Sequence, residues 1–400
     1  MTPPPTSATN DKNKRPTMIV LSHLRWDFVF QRPQHLLSRA ARDFDVIFVE
    51  EPIFSDEAVP RLEIGDRPQG VRVAQPMLPH GTSEEAAIEA QRAIVDELAA
   101  QAGAPLVLWY YTPMALPFSR HIEADLVVFD KMDELSAFKN APPLLLRLEQ
   151  ELLDRADVVF TGGASMHRAA EHRHSNIHCF PSSIDTKHFA IARDRSLPDP
   201  QDQAHVAHPR LGFFGVIDER FDIDLLAAVA DLKPDWQFTM IGPVVKIDPS
   251  ILPQRPNIHW LGGKKYDELP QYLAHWDIGF MPFAINEATK FISPTKTPEF
   301  LAAGLPVVST PITDVVTPYG DEELVEIAAT AEEVVAAVER LFAAERAPWL
   351  ARVDAKLAQG SWDQTWESMR GLMLEKLPSA DKPARTKLSV RFAETEEVRV

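Results

Sequence analysis

The sequence predicts an α/β protein of two Rossmann-like, doubly wound domains that face a cleft. Three observations support this prediction. The 400 residues exceed the usual length of a single domain. Short β-rich runs alternate with helical stretches from Met18 onward, as in parallel sheets covered by helices. The polar, proline-containing segment 192–209 interrupts this alternation, and a second series follows it.

The first series reads as one doubly wound domain. Its strand candidates are β-rich runs at 18–23, 45–50, 71–74, 106–111, 126–130, 158–161 and 177–180. Its helix candidates lie between them at 33–42, 84–102, 144–155 and 165–173.

The second series reads as a similar domain. Its strand candidates are 210–215, 236–242, 257–262, 277–282, 305–310 and 323–328, with helix candidates at 222–231, 267–275, 296–303 and 331–346. The predicted division is a disordered N-terminal arm (1–17), an N-terminal acceptor-side domain (18–195), a linker (196–209), a C-terminal donor domain with closing helices (210–376) and a loosely ordered tail (377–400). Open parallel sheets bind ligands at the carboxyl ends of their strands, so the predicted site lies between the domains.

Composition excludes several classes of protein. The single Cys179 rules out an internal disulfide and a cysteine cage for zinc or an iron–sulfur cluster. A net charge of −17 argues against general electrostatic binding of nucleic acid. No apolar run approaches the roughly 18 residues of a membrane span, and the N-terminus lacks the apolar core of a secretory signal. We expect a cytoplasmic protein, with peripheral association at the inner face of the membrane as an open alternative.

The segment 291–310 is the most informative part of the sequence. Ser293 is suited to cap a helix and Pro294 to occupy its first turn. A helix start favours a diphosphate, and Lys296 adds a full positive charge there. Glu299, about one turn deeper, offers two acceptor oxygens to a ribose diol. The alternative is an ordinary capped helix whose Lys296 and Glu299 are merely solvated.

The string P-x-K-x-x-E-x-L-A-A-G-L-P-V-V in this segment resembles the donor-site signature of GT-B glycosyltransferases, especially the family 4 or "group 1" class. In that family the corresponding Glu binds the nucleotide ribose, and the preceding loop and helix start hold the diphosphate. The resemblance therefore implies that Glu299 binds ribose. It also implies that Pro294, Thr295 and Lys296, at the helix start after Ser293, hold the diphosphate.

Other segments resemble the same family in the same order, so that the similarity spans about residues 18–345. Segment 179–189 is similar to P-N-G-V-D-x-x-x-F, with Ser182 in place of the usual Asn. Segment 212–226 is similar to the first strand and loop of the donor domain. This match implies that Gly215 lies in a glycine-rich turn and that Arg220 is the cation facing the phosphates.

Segments 240–244 and 260–283 resemble the nucleotide-base pocket and the helix after it, which implicates Gly242. One position departs from the family. Many members have a second Glu eight residues before the ribose-binding one, where this sequence has Phe291. The contact to the donor sugar must then come from another residue, for which Glu287 and Lys290 are nearby candidates.

In the N-terminal half, the segment 22–39 follows the first strand and opens a helix at Pro33. It is rich in polar side chains for a connection in a buried sheet, and loops at strand ends often carry function. We predict that it lines the cleft and that His23 and Arg32 lie near the acceptor. The alternative is a surface loop with solvated side chains.

The segment 127–138 supplies candidate carboxylates. Asp130 ends a strand, and Asp133 and Glu134 follow in the turn. A carboxylate there would accept the proton of the acceptor hydroxyl or support positive charge at the sugar carbon. We predict Asp133, and then Asp130, as catalytic. The alternative is that Asp133 or Glu134 caps the next helix.

Other signals are weaker. The segment 171–179 holds three His and Cys179 but lacks the spacing of a zinc site. Asp222 and Asp224 form a D-x-D pair that more readily caps the helix after it. No G-x-G-x-x-G follows the first strand, which disfavours a dinucleotide oxidoreductase. We therefore expect no bound metal and no cofactor.

These observations and the resemblance predict a glycosyltransferase. It would move a sugar from a nucleotide diphosphate donor, expected to be a UDP-sugar, to a hydroxyl acceptor on a polysaccharide or glycolipid precursor. The reaction would need no metal, and the resemblance favours a retaining over an inverting outcome. The alternatives are a nucleotide-sugar epimerase of the same fold and a non-catalytic protein that binds nucleotide-sugars.

Overall fold

A computed structural model describes residues 15–377 of the chain. The predicted arm (1–17) and tail (377–400) lie outside the described residues, except for 15–17 and Leu377. Thr17 is the first residue of a buried strand, so this residue belongs to the N-terminal domain and not to the predicted arm.

The N-terminal sheet contains nine strands. They are β1 (Thr17–Leu21), β2 (Asp45–Val49), β3 (Ile53–Ser55), β4 (Arg61–Asp66), β5 (Val71–Pro79), β6 (Leu106–Tyr110), β7 (Leu126–Lys131), β8 (Val158–Thr161) and β9 (Ile177–Cys179). Their order is β3-β5-β2-β1-β6-β7-β8-β9, with β4 added antiparallel to β5 and the other pairs parallel. All the predicted strands are present. The short strand β3 and the largely exposed strand β4 were not predicted, because they lack a buried β-rich run.

The C-terminal sheet contains six parallel strands. They are β10 (Arg210–Phe214), β11 (Gln237–Ile241), β12 (Ile258–Gly262), β13 (Ile278–Met281), β14 (Val307–Ser309) and β15 (Glu326–Ile327). Their order, β12-β11-β10-β13-β14-β15, is that of a doubly wound sheet. The predicted α/β fold with two doubly wound domains is therefore confirmed.

Helices cover these sheets. They are α1 (Arg32–Ala40), α2 (Glu84–Ala100), α3 (Leu116–Ser119), α4 (Leu144–Arg155), α5 (Ala164–Ala170), α6 (Thr186–Ala190), α7 (Ile223–Leu232), α8 (Leu269–Leu273), α9 (Lys296–Ala302), α10 (Thr313–Val315), α11 (Ala331–Ala343), α12 (Arg346–Leu357) and α13 (Trp362–Lys376). No helix of the described residues is long and apolar enough to span a membrane.

The segment predicted as an exposed linker, 196–209, packs onto the C-terminal domain instead. Gln203 is fully buried and accepts a hydrogen bond from the Trp276 indole at 2.7 Å. Val206 is also buried. The segment was predicted to be exposed because it is rich in polar residues. In the fold, some of these polar groups, such as the Gln203 side chain, are buried and hydrogen-bonded. The C-terminal core begins still earlier, at Ile184.

The last helix also differs from the prediction. α13 was expected among the closing helices of the C-terminal domain, but it packs onto the N-terminal core through Trp362, Trp366, Met369 and Met373. These residues recur at the spacing of one helix face. The Trp366 ring lies 6.4 Å from those of Trp109 and Phe44, which belong to the N-terminal domain.

The chain therefore crosses between the domains twice, before α6 and before α13. The two crossings lie side by side, since a Cβ at Gly360 would lie 3.8 Å from the Ser183 hydroxyl oxygen. The N-terminal domain is thus built from two separate stretches of sequence.

We predict that Trp366→Ala destabilises the N-terminal domain by about 3–5 kcal/mol, because it removes a buried indole from that core. Differential scanning calorimetry should show a lower melting temperature for the N-terminal transition and little change for the C-terminal one. Leu374→Ala is the control, since Leu374 lies on the same helix and is 46% exposed. A shift of the C-terminal transition alone would contradict the assignment of α13.

Candidate active site

The candidate site lies where the carboxyl ends of the two sheets face each other. In each sheet the strand order reverses beside a central strand, between β1 and β6 and between β10 and β13. Such reversals leave a crevice that suits ligands. The domains touch across it, because the Lys139 N–H donates to Glu219 Oε1 at 3.1 Å and the Ser165 N–H donates to Asp314 Oδ1 at 3.0 Å.

Two glycines on the C-terminal side allow the backbone and a lysine to come close together. Gly215 and Gly242 have φ angles of 143° and 150°. A Cβ at Gly242 would lie 1.7 Å from the Gly215 carbonyl oxygen, and one at Gly215 would lie 2.7 Å from Lys296 Cε. A residue larger than glycine at position 215 would therefore push Lys296 away from the end of β10.

Helix α9 begins at Lys296, as the helix candidate 296–303 predicted, but its predicted cap is wrong. Its N-cap is Thr295 and its first residue is Lys296, so Ser293 does not cap it and Pro294 precedes it. The Pro294 carbonyl instead accepts from the Thr297 N–H at 3.2 Å, forming the turn that leads into the helix. Ser293 faces the other domain, since a Cβ at Gly163 would lie 2.9 Å from its Cβ.

Lys296 is a cation without a carboxylate partner within 4 Å in the described part of the chain. Its ammonium group donates one long hydrogen bond, 3.4 Å, to the Thr295 hydroxyl. Burial lowers the pKa of Lys296, while nearby Glu299 raises it and Arg220 lowers it further. A half-buried, weakly partnered cation gains from the arrival of an anion.

Glu299 is only 7% exposed, and its Oε2 has no hydrogen-bond partner among residues 15–377. Burial raises the pKa of this carboxyl to about 7, against the opposing effects of Lys296 and the Thr295 hydroxyl. An unsatisfied buried carboxylate oxygen is costly, so the site favours a ligand that donates hydrogen bonds.

Arg220 is held from two sides. Its guanidinium makes a bidentate pair with buried Asp218, with Nε–Oδ1 at 2.9 Å and Nη2–Oδ2 at 2.7 Å. Burial opposes its charge, but the hydrogen bonds to Asp218 raise its pKa overall. Phe138 of the N-terminal domain lies 5.4 Å from the guanidinium carbon and 5.1 Å from the Lys246 ammonium. Asp218, Phe138 and Lys246 were not predicted as site residues, although the two acidic residues before Arg220 were a usable signal for Asp218.

In the N-terminal domain, Asp130 and Arg32 form a buried ion pair. They are 0% and 2% exposed, with Arg32 Nη2 at 2.9 Å from Asp130 Oδ1. Arg32 also donates to the Phe180 carbonyl at 2.7 Å. The prediction that these two groups act directly on substrate is therefore corrected. Each buried side chain neutralises the other, and the pair joins three segments of the chain.

Asp133 is half-buried and makes no hydrogen bond or ion pair with the described residues. Its charge acts on groups of both domains, raising the pKa values of His23, Arg220 and Lys296. The turn that carries it is fixed by buried Lys131, which contacts Glu134 at 2.9 Å and Glu149 at 2.6 Å. Asp133 is thus the carboxylate of this segment that faces the cleft.

His23 lies beside Asp133. Its Nδ1 is buried and has no partner within the described structure. Burial lowers the pKa of this imidazole, with Asp133 opposing that shift and Lys246 adding to it. The ring is therefore neutral at neutral pH and has one nitrogen free to accept a proton.

The acidic pair of the D-x-D motif serves the fold. Asp222 caps α7 by accepting from the Leu225 N–H at 2.8 Å, as the sequence predicted. Within residues 15–377, no three His, Cys, Asp or Glu side chains are grouped as metal ligands would be.

Comparison with known proteins shows that this chain is similar to glycosyltransferases in sequence and in fold. Residues 208–344 match the family model of the group 1 glycosyl transferases. Over 240 residues the chain is 29% identical to TuaH of Bacillus subtilis, named as a teichuronic acid biosynthesis glycosyltransferase, an assignment that is itself provisional. That match covers 54% of this chain and 59% of TuaH, less than two thirds of its length.

Solved structures share the fold across nearly the whole chain. Sucrose-phosphate synthase from Thermosynechococcus elongatus superposes with a TM-score of 0.68 at 14% identity, covering 90% of this chain and 99% of that one. HepE of Anabaena, solved in complex with UDP and glucose, gives a TM-score of 0.64 at 13% identity, covering 89% and 98%. The resemblance to group 1 glycosyltransferases is therefore confirmed for residues 208–344, and the GT-B fold is shared across nearly the whole chain.

We predict that Asp130→Asn lowers the free energy of unfolding by about 3–5 kcal/mol, because it leaves the Arg32 charge buried without a counter-charge. Urea denaturation followed by circular dichroism measures this change. Asp133→Asn is the matched control and should remain within about 0.5 kcal/mol of the parent. Equal stability of the two variants would show that the buried pair contributes little.

A second prediction concerns pH. The folded state binds the Glu299 proton more tightly than the unfolded chain, since its pKa rises from 4.5 to about 7. The resulting stability is complete below the unfolded value and is lost as pH rises through the folded one. Between about pH 5 and about pH 8, the parent should lose about 2–3 kcal/mol more than Glu299→Gln.

Denaturation of both proteins at the two pH values tests this difference. Glu332→Gln serves as the control, because Glu332 is exposed on α11, and it should follow the parent at both pH values. A Glu299→Gln protein with the same pH dependence as the parent would contradict the prediction.

Proposed function

We propose that the chain is a glycosyltransferase that moves a sugar from a UDP-sugar to a hydroxyl acceptor without a metal ion. One observation carries this proposal: Lys296, Arg220 and Glu299 of the donor-type domain lie at one edge of the cleft, and unpaired Asp133 faces them from the other domain. The UDP in the HepE structure and the name of TuaH support a UDP-sugar donor and a polysaccharide or glycolipid acceptor.

The proposed chemistry separates into two tasks. The bond between the anomeric carbon and the diphosphate oxygen breaks, and its electron pair leaves with the diphosphate. Lys296 and Arg220 offset roughly the two charges of this leaving group, which is the order of compensation required without a metal. Glu299 holds the ribose, and the glycine turn at Gly215 and Gly242 lets the phosphates approach Lys296.

The second task belongs to the N-terminal side. As the acceptor oxygen bonds to the anomeric carbon, Asp133 supports the positive charge that develops there or accepts the acceptor's proton. His23, neutral and adjacent, hydrogen-bonds the acceptor hydroxyl. The family resemblance favours retention of configuration at the anomeric carbon.

We predict that Asp133→Asn lowers kcat about a hundredfold, the usual order for losing an acid–base or charge-stabilising group. The KM for the donor should change little, because Asp133 acts on the transition state. Release of the nucleoside diphosphate by the purified protein, measured with a panel of UDP-, ADP- and GDP-sugars, provides the rates. Asp56→Asn is the control, since Asp56 is fully exposed in the same domain.

The same assay tests the rest of the proposal. Transfer or donor hydrolysis should persist in EDTA, and loss of turnover that magnesium or manganese restores would contradict metal independence. Conversion of the donor to an epimer would indicate the epimerase, and nucleotide binding without turnover would indicate a binding protein. A normal kcat in the Asp133 variant would show that the catalytic carboxylate lies elsewhere.

A further inference from the structure

Tyr266 lies between β12 and α8, and its ring is fixed by residues from two parts of the molecule. It stacks on His188 of α6 with ring centres 4.1 Å apart and planes within 9°. It also stacks on Phe30, from the loop after β1, at 4.5 Å. The His188 imidazole contacts the Tyr266 carbonyl at 3.1 Å. A side chain held on both faces presents its hydroxyl in one position.

The hydroxyl of Tyr266 is buried and has no hydrogen-bond partner in the described part of the chain. Burial raises its pKa far above the ordinary value, and nearby Glu299 and Asp185 raise it further. The group is therefore a neutral O–H that can donate one hydrogen bond and accept others. Leaving it unpaired costs free energy, which a suitable ligand would recover.

Glu299 likewise has a buried polar atom without a hydrogen-bond partner, but this atom is an acceptor. Its side chain is 93% buried, and its Oε2 is likewise without a partner among the residues described. Packed rings connect the two groups. Phe189 lies 5.6 Å from Tyr266 and 6.0 Å from Phe214, which lies 5.2 Å from Phe300, the neighbour of Glu299. The charge of Glu299 also acts on the Tyr266 hydroxyl, so one unsatisfied donor and one unsatisfied acceptor lie within electrostatic range of each other.

We propose that the Tyr266 hydroxyl and Glu299 together bind the vicinal diol of the nucleotide's ribose, an assignment that rests on the proposed function. An ionised carboxylate only accepts hydrogen bonds, so Glu299 accepts from the O–H groups of the diol but cannot donate to the lone pairs of the diol oxygens. The Tyr266 O–H supplies the missing donor. Because Phe30 supports the ring, the N-terminal domain contributes to recognition of the nucleotide.

The test compares UDP with 2′,3′-dideoxy-UDP, which lacks the diol. Isothermal titration calorimetry measures the Kd of each ligand for the parent and for Tyr266→Phe, which removes only the hydroxyl. The variant should bind UDP about five- to tenfold more weakly, the range for one hydrogen bond in a buried site. It should bind the dideoxy ligand as the parent does.

Tyr272→Phe is the matched control. Its hydroxyl donates to Asp202 at 2.8 Å, and its removal should leave both Kd values unchanged. The melting temperature of Tyr266→Phe should stay close to that of the parent, which separates ligand recognition from a general loss of structure.

Two outcomes would overturn the assignment while leaving the proposed function standing: an unchanged UDP Kd in Tyr266→Phe, or equal weakening of both ligands. Equal binding of UDP and the dideoxy ligand by the parent would also overturn it, because the diol would then not be recognised. A parent that binds no UDP at all would refute the UDP-sugar donor and, with it, the ribose site.

Discussion

The buried ion pair between Arg32 and Asp130 organises the N-terminal half of the cleft. It joins the start of α1 to the end of β7, and its contact with the Phe180 carbonyl adds the chain just after β9. Charges buried this deeply persist only in pairs. The neighbouring Lys131 is neutralised in the same way by Glu149. Because the charged residues beside it are held in ion pairs, Asp133 is the charge in this turn that remains available to a substrate.

The C-terminal side follows the opposite rule. Arg220 is fixed by Asp218, but Lys296 has only one long hydrogen bond and Glu299 keeps a buried oxygen without a partner among the described residues. Such groups cost stability in the free protein and lower the free energy of a complex that satisfies them. The two domains therefore differ. In the N-terminal domain the charged groups around Asp133 are held in ion pairs, whereas in the C-terminal domain the groups proposed to bind the donor lack hydrogen-bond partners.

The sequence predicted most of the fold, because buried parallel strands read as short β-rich runs and the signature around Lys296 is local. It missed elements that depend on distant contacts. The apolar spacing of Trp362, Trp366, Met369 and Met373 indicates a helix but not which domain it covers. The choice between Asp130 and Asp133 likewise depended on Arg32, 98 residues away from Asp130, and spacing alone does not reveal that partner.

The return of α13 to the N-terminal domain has a mechanical consequence. Two adjacent chain crossings, near Ser183 and Gly360, join the domains at one place. They also make the halves inseparable. A fragment that ends before α6 would expose the apolar face of the first domain that Trp362 and Trp366 cover, and it would be prone to aggregate.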